Sequence, residues 1–299
     1  MSQVSTRTKT PILINVVEPY DFAISLKAIR SFQPAVQQAE PRFRLAASLG
    51  KKPAVVEVTT DDKNRLVATS RPPSDSQQLG ALVEWVLFTD LDLKPFYRLL
   101  SHMPKLTWLT KKLYGLKPSR PASLFEMAVT AITEQQISLA AAYKIRSRVI
   151  QRFGEPVEDM WVFPEPQSLA VASLEDLRAC GLSRQKSEYI RGLAAKVAAG
   201  DLDLEGLKNV DTDQARETIM NIKGFGRWSA DYILIRGLAR PDCVPVDDLG
   251  IRTVLGRYLA DGARPSAEET ATLLEPFRPF RGLMAFYLLA AHRLKVNAD

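Results

Sequence analysis

A four-residue interruption between two helical patterns constrains this chain more than any other feature. Residues 211–222 (DTDQARETIMNI) carry apolar side chains at helical spacing and begin with Asp211, a residue type that caps helix N-termini. Residues 223–226 (KGFG) contain two glycines and are not expected to continue that helix. A second helix is predicted from Arg227 to Ala239. Residues 211–239 therefore predict a helix–hairpin–helix.

The glycine-rich turn also suggests a ligand. The two glycines allow the turn to take positive φ and a flat anion to approach the backbone, while the first amides of the second helix stay unpaired. A phosphate fits such a turn, and Lys223 and Arg227 on either side of it add positive charge. A turn of this kind between helices can equally be a helix C-cap that binds nothing.

Composition narrows the classes of function. Lys and Arg exceed Asp and Glu by 40 − 34 = 6, and the pI of about 9.3 favours a polyanionic partner, although a merely basic soluble protein has the same balance. The chain has two cysteines, Cys180 and Cys243, and two histidines, His102 and His292. These counts exclude a disulfide framework, a four-cysteine zinc or iron–sulfur site within the chain, and a multi-histidine metal site. We therefore predict no such metal centre.

The distribution of apolar residues bears on where the protein works. The first eleven residues are polar and basic, and no run of 18 uninterrupted apolar residues occurs. Secretion and membrane spanning are therefore not expected. A cytoplasmic, nucleoid-associated protein is the expectation.

The pattern along the chain predicts an α+β fold. Residues 11–70 contain short, partly alternating segments with β-branched side chains and a turn signal (TDDKN), which predict an antiparallel sheet. Residues 116–123 (LKPSRPAS) contain two prolines and two serines, as interdomain segments often do, and the chain beyond them is helical in pattern. We expect an N-terminal antiparallel sheet domain over residues 1–112, followed by an all-α domain over residues 113–299.

Two strings taken together resemble a known family. Residues 222–238 (IKGFGRWSADYILIRGL) and 244–252 (VPVDDLGIR) resemble the helix–hairpin–helix (HhH-GPD) DNA glycosylases, and within them the 3-methyladenine DNA glycosylase II (AlkA-type) branch. Residues 90–97, 124–138 and 181–194 are similar to that branch as well, so the resemblance covers roughly residues 80–290.

The resemblance implies a function. It implies a monofunctional DNA N-glycosylase that flips alkylated purines of the 3-methyladenine or 7-methylguanine type out of double-stranded DNA and hydrolyses their glycosidic bond, leaving an abasic site. It implies a monomer that needs no cofactor, with a monovalent cation at the hairpin carbonyls near residues 222–226 as an untested addition. A non-catalytic helix–hairpin–helix DNA-binding protein and a glycosylase of the same fold for oxidised or deaminated bases remain alternatives.

Asp248 matches the catalytic aspartate of that family, and Asp247 matches a variable neighbour. Asp248 also precedes a helical pattern and could simply be its N-cap. The two interpretations agree, because the amides at a helix N-terminus favour an ionised carboxylate, and such a carboxylate can face positive charge developing on the deoxyribose or orient a water. An alkylated purine is already cationic and leaves as a neutral base, so one carboxylate suffices.

The resemblance also assigns the remaining site residues. Trp228 stands where bifunctional members carry a Schiff-base lysine, so no lyase activity is expected. Trp228 and Tyr232 are expected to wall a base pocket, although either can be a core residue, and Leu289 stands where a tryptophan is common, with Phe286 or Tyr287 as possible compensation. Gln136 falls at the position that fills the gap left by the flipped nucleotide, or is an exposed polar residue at a helix end. The expected DNA contacts are Gln136, Lys223, Gly224, Phe225, Gly226 and Arg227.

Overall fold

The computed structural model describes residues 11–32 and 42–297, so most of the polar N-terminal stretch lies outside the described residues. The strands are β1 (Ile12–Leu13), β2 (Phe43–Leu49), β3 (Lys52–Thr60), β4 (Leu66–Arg71), β5 (Pro156–Val157) and β6 (Met160–Trp161). The helices are α1 (Phe22–Phe32), α2 (Ser76–Leu87), α3 (Lys94–Ser101), α4 (Thr107–Lys112), α5 (Leu124–Glu134), α6 (Leu139–Phe153), α7 (Pro166–Ala170), α8 (Leu174–Ala179), α9 (Arg184–Ala199), α10 (Thr212–Met220), α11 (Arg227–Arg236), α12 (Leu249–Leu259), α13 (Ala267–Leu274) and α14 (Arg281–Leu294).

The predicted antiparallel sheet is confirmed. Its strand order is β1-β4-β3-β2, with every neighbouring pair antiparallel. Gly50 and Lys51 join β2 to β3 with φ of 59° and 66°, the paired left-handed geometry of a tight two-residue hairpin. Buried residues on β3 and β4 pack with apolar side chains of α1 and α2 in one cluster. The α+β fold class follows from this sheet and the helices after it.

The helical pattern over residues 124–154 resolves into two helices. Ser123 caps α5 and Ser138 caps α6, each accepting a hydrogen bond from the amide three residues further along the chain. Between the helices, Gln136 has φ of 55°, a left-handed conformation that few residues other than glycine adopt. The break therefore presents an exposed, constrained loop next to the hairpin.

Three apolar clusters hold the described residues together. One is built from α5 through α11 and a second from residues 93–116 together with α12 and α14. Leu109, Leu113 and Leu116 all belong to the second cluster, so residues on both sides of the proposed boundary near residue 113 share one core. The division into residues 1–112 and 113–299 remains a proposal. Within the described ranges, no helix is both long and apolar enough to cross a membrane.

Candidate active site and DNA interface

The hairpin lies between α10 and α11, as predicted, but its two glycines differ. Gly224 has φ of 95°, and a Cβ there would lie 2.4 Å from the ring of Tyr189, so both conformation and space require glycine. Gly226 has φ of −116° and an extended backbone, so Gly224 alone supplies the positive φ expected of the turn. The second helix also ends at Arg236, three residues earlier than predicted. A left-handed residue, Ala239 with φ of 53°, stands where we expected its last residue.

Helix α11 begins differently from its neighbours in the sequence. Asp211 caps α10 and Asp248 caps α12 with side-chain hydrogen bonds, whereas Gly226 offers α11 no side-chain cap. The first amides of a helix need partners, and a missing cap leaves them to solvent or to a ligand. The start of α11 can therefore receive an anion at its positive end.

The residues around the turn divide between surface and core. Lys223 and Arg227 are exposed, and Arg227 Nε donates to Asp231 Oδ2 at 2.7 Å. Phe225 is buried with 7% exposure, and its amide donates to the carbonyl oxygen of Ile222 at 3.0 Å. The ring of Phe225 thus anchors the turn in the core and does not face solvent.

Asp248 caps helix α12 and also accepts a hydrogen bond from one member of an aromatic pair. Its Oδ1 accepts from the amide of Ile251 at 3.0 Å, and its Oδ2 accepts from Trp228 Nε1 at 3.2 Å. Trp228 stacks on Tyr232 with ring centroids 4.9 Å apart and planes 17° from parallel. The carboxylate and the two electron-rich rings are therefore in one place.

Tyr232 is held in place by a partly buried network of polar side chains. Its hydroxyl donates to Glu134 Oε2 at 2.6 Å, and Arg146 Nη1 lies 3.2 Å from the other oxygen of Glu134. Burial raises the pKa of Tyr232 well above its ordinary value, and Glu134 raises it further. The ring stays neutral, and its orientation is set by a charge-assisted hydrogen bond.

Two hollows meet at Asp248. One is a largely apolar cavity, and its walls include Phe32, Tyr232, Arg236, Phe286 and Leu289. The other is an open cleft of about 900 Å³. The cleft is lined by residues of the α5–α6 loop, the start of α9, the hairpin and the start of α12, among them Gln136, Lys186, Gly224, Gly226, Trp228, Asp247 and Asp248. Asp248 is common to both, so its carboxylate lies where the cavity and the cleft adjoin.

The α5–α6 loop is tied to the hairpin. Gln135 Nε2 donates to the carbonyl oxygen of Gly224 at 2.9 Å and to Ser229 Oγ at 3.0 Å. Lys186 Nζ donates to the carbonyls of Thr133 at 2.9 Å and Gln135 at 2.6 Å, and burial lowers its pKa. These bonds fix the position of exposed Gln136 relative to the turn.

The hairpin carbonyls have some capacity for a cation. The carbonyl oxygen of Ile222 accepts from the Phe225 amide and that of Gly224 from Gln135, and each keeps a second lone pair. Elsewhere in the described part of the chain, no group of three or more His, Cys, Asp or Glu residues could hold a metal ion. A monovalent cation at residues 222–226 stays a hypothesis.

Comparison with known proteins bears on this arrangement. The family model described as "HhH-GPD superfamily base excision DNA repair protein" matches residues 129–279, which is 151 of the 299 residues and includes the hairpin and Asp248. The chain belongs to the HhH-GPD superfamily.

Individual members of the superfamily are similar over different shares of the chain. A DNA-3-methyladenine glycosylase of Bacillus subtilis is 29% identical over 252 residues, 81% of this chain and 83% of that protein. DNA-3-methyladenine glycosylase 2 of Escherichia coli is 35% identical over 141 residues, 46% of this chain and 49% of that protein. The structure of a 3-methyladenine DNA-glycosylase from Archaeoglobus fulgidus matches with a TM-score of 0.82 at 27% identity, covering 96% of this chain and 99% of that one. The resemblance to the AlkA-type HhH-GPD branch is thereby confirmed.

The structure brings most of the residues singled out by the sequence together. Trp228, Tyr232, Leu289 and Asp248 line the cavity or adjoin it, and Gln136, Gly224 and Gly226 line the cleft. Phe286 lines the cavity near Leu289, whereas Tyr287 is fully buried and donates to the carbonyl of Leu116.

Sequence reasoning missed several residues that complete the site. They are Phe32, Glu134, Gln135, Lys186 and Arg236. Glu134 and Gln135 were visible as polar residues at the end of an apolar helix. Phe32 gave no signal, because it reaches the cavity from a helix about 200 residues away in the sequence.

Proposed function

We propose that this chain is a monofunctional DNA N-glycosylase that hydrolyses the glycosidic bond of alkylated purines in double-stranded DNA. The observation that carries the proposal is Asp248, a carboxylate placed between an aromatic cavity and an open cleft. The cavity would receive the flipped base and the cleft would receive the duplex. Superfamily membership and relatives named DNA-3-methyladenine glycosylase support the substrate class.

Asp248 supplies the chemistry in this proposal. Its two oxygens are held by a backbone amide and by Trp228, so the carboxylate is oriented before substrate arrives. As the bond to the base breaks, positive charge develops on the deoxyribose, and an adjacent anion stabilises that charge or orients the attacking water. A 3-methylated adenine or 7-methylated guanine departs as a neutral base and needs no acid catalyst.

We propose that the enzyme lacks lyase activity. A lyase of this superfamily would need an amine to attack the sugar, and Trp228 occupies the position where the resemblance expects that amine. Lys186 also lines the cleft, but its amine is engaged by two backbone carbonyls. The product would then be an intact strand with an abasic site.

Selection of the base follows from the stacked pair. An electron-rich aromatic wall attracts a cation by about 0.5–2 kcal/mol, depending on how fully the pair is desolvated. Trp228 and Tyr232 offer such a wall beside the cavity. Leu289 makes the lining of the cavity less aromatic than a tryptophan would, and Phe286 adds one ring back.

The DNA contacts in this proposal divide between the turn and the loop. The uncapped start of α11, together with Gly224, Gly226, Lys223 and Arg227, would bind the phosphate backbone without reading sequence. Gln136 would fill the gap left by the flipped nucleotide, and its left-handed φ of 55° marks a constrained position of the kind often found at functional sites. Phe225 stays in the core.

One chain provides all these parts, so we propose that it acts as a monomer.

The test is base release from DNA treated with a methylating agent, comparing the wild type with Asp248→Asn and probing the product with and without alkali. We expect the wild type to release 3-methyladenine or 7-methylguanine, and strand breaks to appear only after alkali. The variant should bind DNA but release nothing above background. Tight DNA binding with no release by the wild type would favour a non-catalytic binder, and breaks without alkali would overturn the monofunctional assignment.

A further inference from the structure

The loop that carries Gln136 is held by two side chains to which the mechanism above gives no role. Lys186 Nζ, from α9, donates to the carbonyl oxygens of Thr133 at 2.9 Å and Gln135 at 2.6 Å. Gln135 Nε2 donates in turn to the carbonyl oxygen of Gly224 at 2.9 Å. The end of α5 is therefore bonded both to α9 and to the hairpin.

The bond from Lys186 to Gln135 acts directly on the backbone of Gln136. The carbonyl of Gln135 belongs to the planar peptide group that precedes Gln136, so fixing this carbonyl fixes one side of the rotation that defines φ of Gln136. That φ is 55°, a left-handed conformation that a residue other than glycine keeps only where its surroundings enforce it. Lys186 and Gln135 supply this constraint on the α5 side of the loop.

Lys186 also has a competing role open to it. Its side chain lines the cleft that would receive the duplex, where an ammonium group can pair with a phosphate. Its Nζ already donates to two carbonyl oxygens, however, and burial lowers its pKa. The geometry therefore favours a role within the protein over a phosphate contact.

We infer that Lys186 and Gln135 are positioning residues for Gln136, holding its side chain where it fills the gap in the base stack as the damaged nucleotide leaves. In this role they contact neither the base nor the sugar and act through Gln136 alone. Their loss should matter most where the base has to leave a complete, paired stack, and least where it is already unpaired. The inference rests on the proposed function, since it requires the base to leave the duplex.

The experiment measures single-turnover release of 7-methylguanine from two duplexes, one with cytosine opposite the lesion and one with an abasic site there. We expect Lys186→Met and Gln135→Met to slow release from the first duplex about tenfold and from the second by no more than about twofold. A general weakening of the site would slow both equally. In a Gln136→Ala background neither change should slow release further, because the residue that they position is gone.

The salt dependence of binding separates positioning from a phosphate contact. Lys186→Met should leave the slope of log affinity against log salt unchanged, whereas the loss of one phosphate contact would lower it by about 0.9. Gln135→Met changes no charge, and it decides the question if Lys186→Met fails to fold.

Gln185→Met is the matched control. Gln185 precedes Lys186 on α9 and lines the same cleft, but its Nε2 donates to the hydroxyl of Tyr189 at 2.8 Å and not to the loop. Its loss should leave the ratio of the two release rates as in the wild type.

Three results would overturn the inference: equal slowing on both duplexes, a lower salt slope for Lys186→Met, or losses that persist in full in the Gln136→Ala background. A Gln136→Ala protein that releases the paired base at the wild-type rate would overturn it together with the proposed role of Gln136. A wild type that releases no base from either duplex would instead contradict the proposed function.

Discussion

Asp231 and Asp248 are two carboxylates near the same helix with opposite surroundings. Asp231, inside α11, is 4% exposed, and each of its oxygens meets an arginine: Arg216 Nε at 3.0 Å and Arg227 Nε at 2.7 Å. Asp248 is half-buried and is held by a backbone amide and an indole. Among the described residues, no cation lies within ion-pair distance of it.

On the proposed function, the difference separates a structural acid from a reactive one. Two guanidinium groups neutralise the charge of Asp231, which leaves little to act on a ligand. The neutral donors at Asp248 orient the carboxylate without neutralising it, so its negative charge remains available to a developing cation. Removing each charge in turn should therefore affect different properties of the protein.

The largest effect should come from Asp248→Asn on base release. We expect the rate to fall about a thousandfold, comparable to the loss of a main electrostatic stabiliser in other enzymes. Asparagine is as good an N-cap as aspartate, so the free energy of unfolding should change by less than about 1 kcal/mol. Release kinetics and urea denaturation of the same preparation measure both. A large loss of stability would show that Asp248 is mainly a structural cap.

Asp231→Asn should show the reverse pattern. Arg216 and Arg227 would lose their shared partner. Because Arg227 is 66% exposed and Arg216 keeps Asp213, the free energy of unfolding should fall by about 1–3 kcal/mol, the cost of charge-assisted hydrogen bonds left unmade. Urea denaturation should reveal that loss, while release by the protein that remains folded falls far less than for Asp248→Asn. Asp213→Asn is the control, because Asp213 pairs with the same Arg216 but is 92% exposed, and its loss should cost about 1 kcal/mol or less. Equal losses of stability in Asp213→Asn and Asp231→Asn would show that Asp231 has no special structural role.

The contrast between the two aspartates also shows what the sequence could predict. The sheet and the two hairpin helices followed from local patterns, and Asp248 from a motif about 20 residues past the turn. Asp231 lies inside the motif string, and its pair with Arg227 has the i,i+4 spacing of a helix, but its pair with Arg216 gave no sign because Arg216 comes from the other hairpin helix. The ring of Tyr189 leaves no space for a Cβ at Gly224, whereas Gly226 has space, and this tertiary contact is one that no local pattern encodes.

Trp228→Phe sharpens the comparison by removing the indole donor of Asp248 while keeping an aromatic ring next to Tyr232. A hydrogen bond to a charged group is typically worth about 1.5–3 kcal/mol, so the rate of base release should fall by about ten- to a hundredfold. The control is Trp85→Phe, which removes a hydrogen bond from Nε1 to the carbonyl of Pro121 away from the site. Single-turnover release distinguishes them, and equal losses in the two variants would argue against a role for the indole N–H.

Lys223→Ala extends the comparison to the cations of the turn and should have the smallest effect. Arg227 is tied to Asp231, whereas Lys223 is exposed and forms no ion pair with any described residue, so its charge is free for a phosphate. Losing one phosphate contact should lower the slope of log affinity against log salt by about 0.9 and weaken binding to all sequences alike. Lys63→Ala, on the exposed β3–β4 turn, is the control and should leave the slope unchanged. An unchanged slope for Lys223→Ala would mean that the hairpin binds DNA through its backbone amides and Arg227 alone. The ion pair between Arg227 and Asp231 would then have a second role, which is to position that arginine.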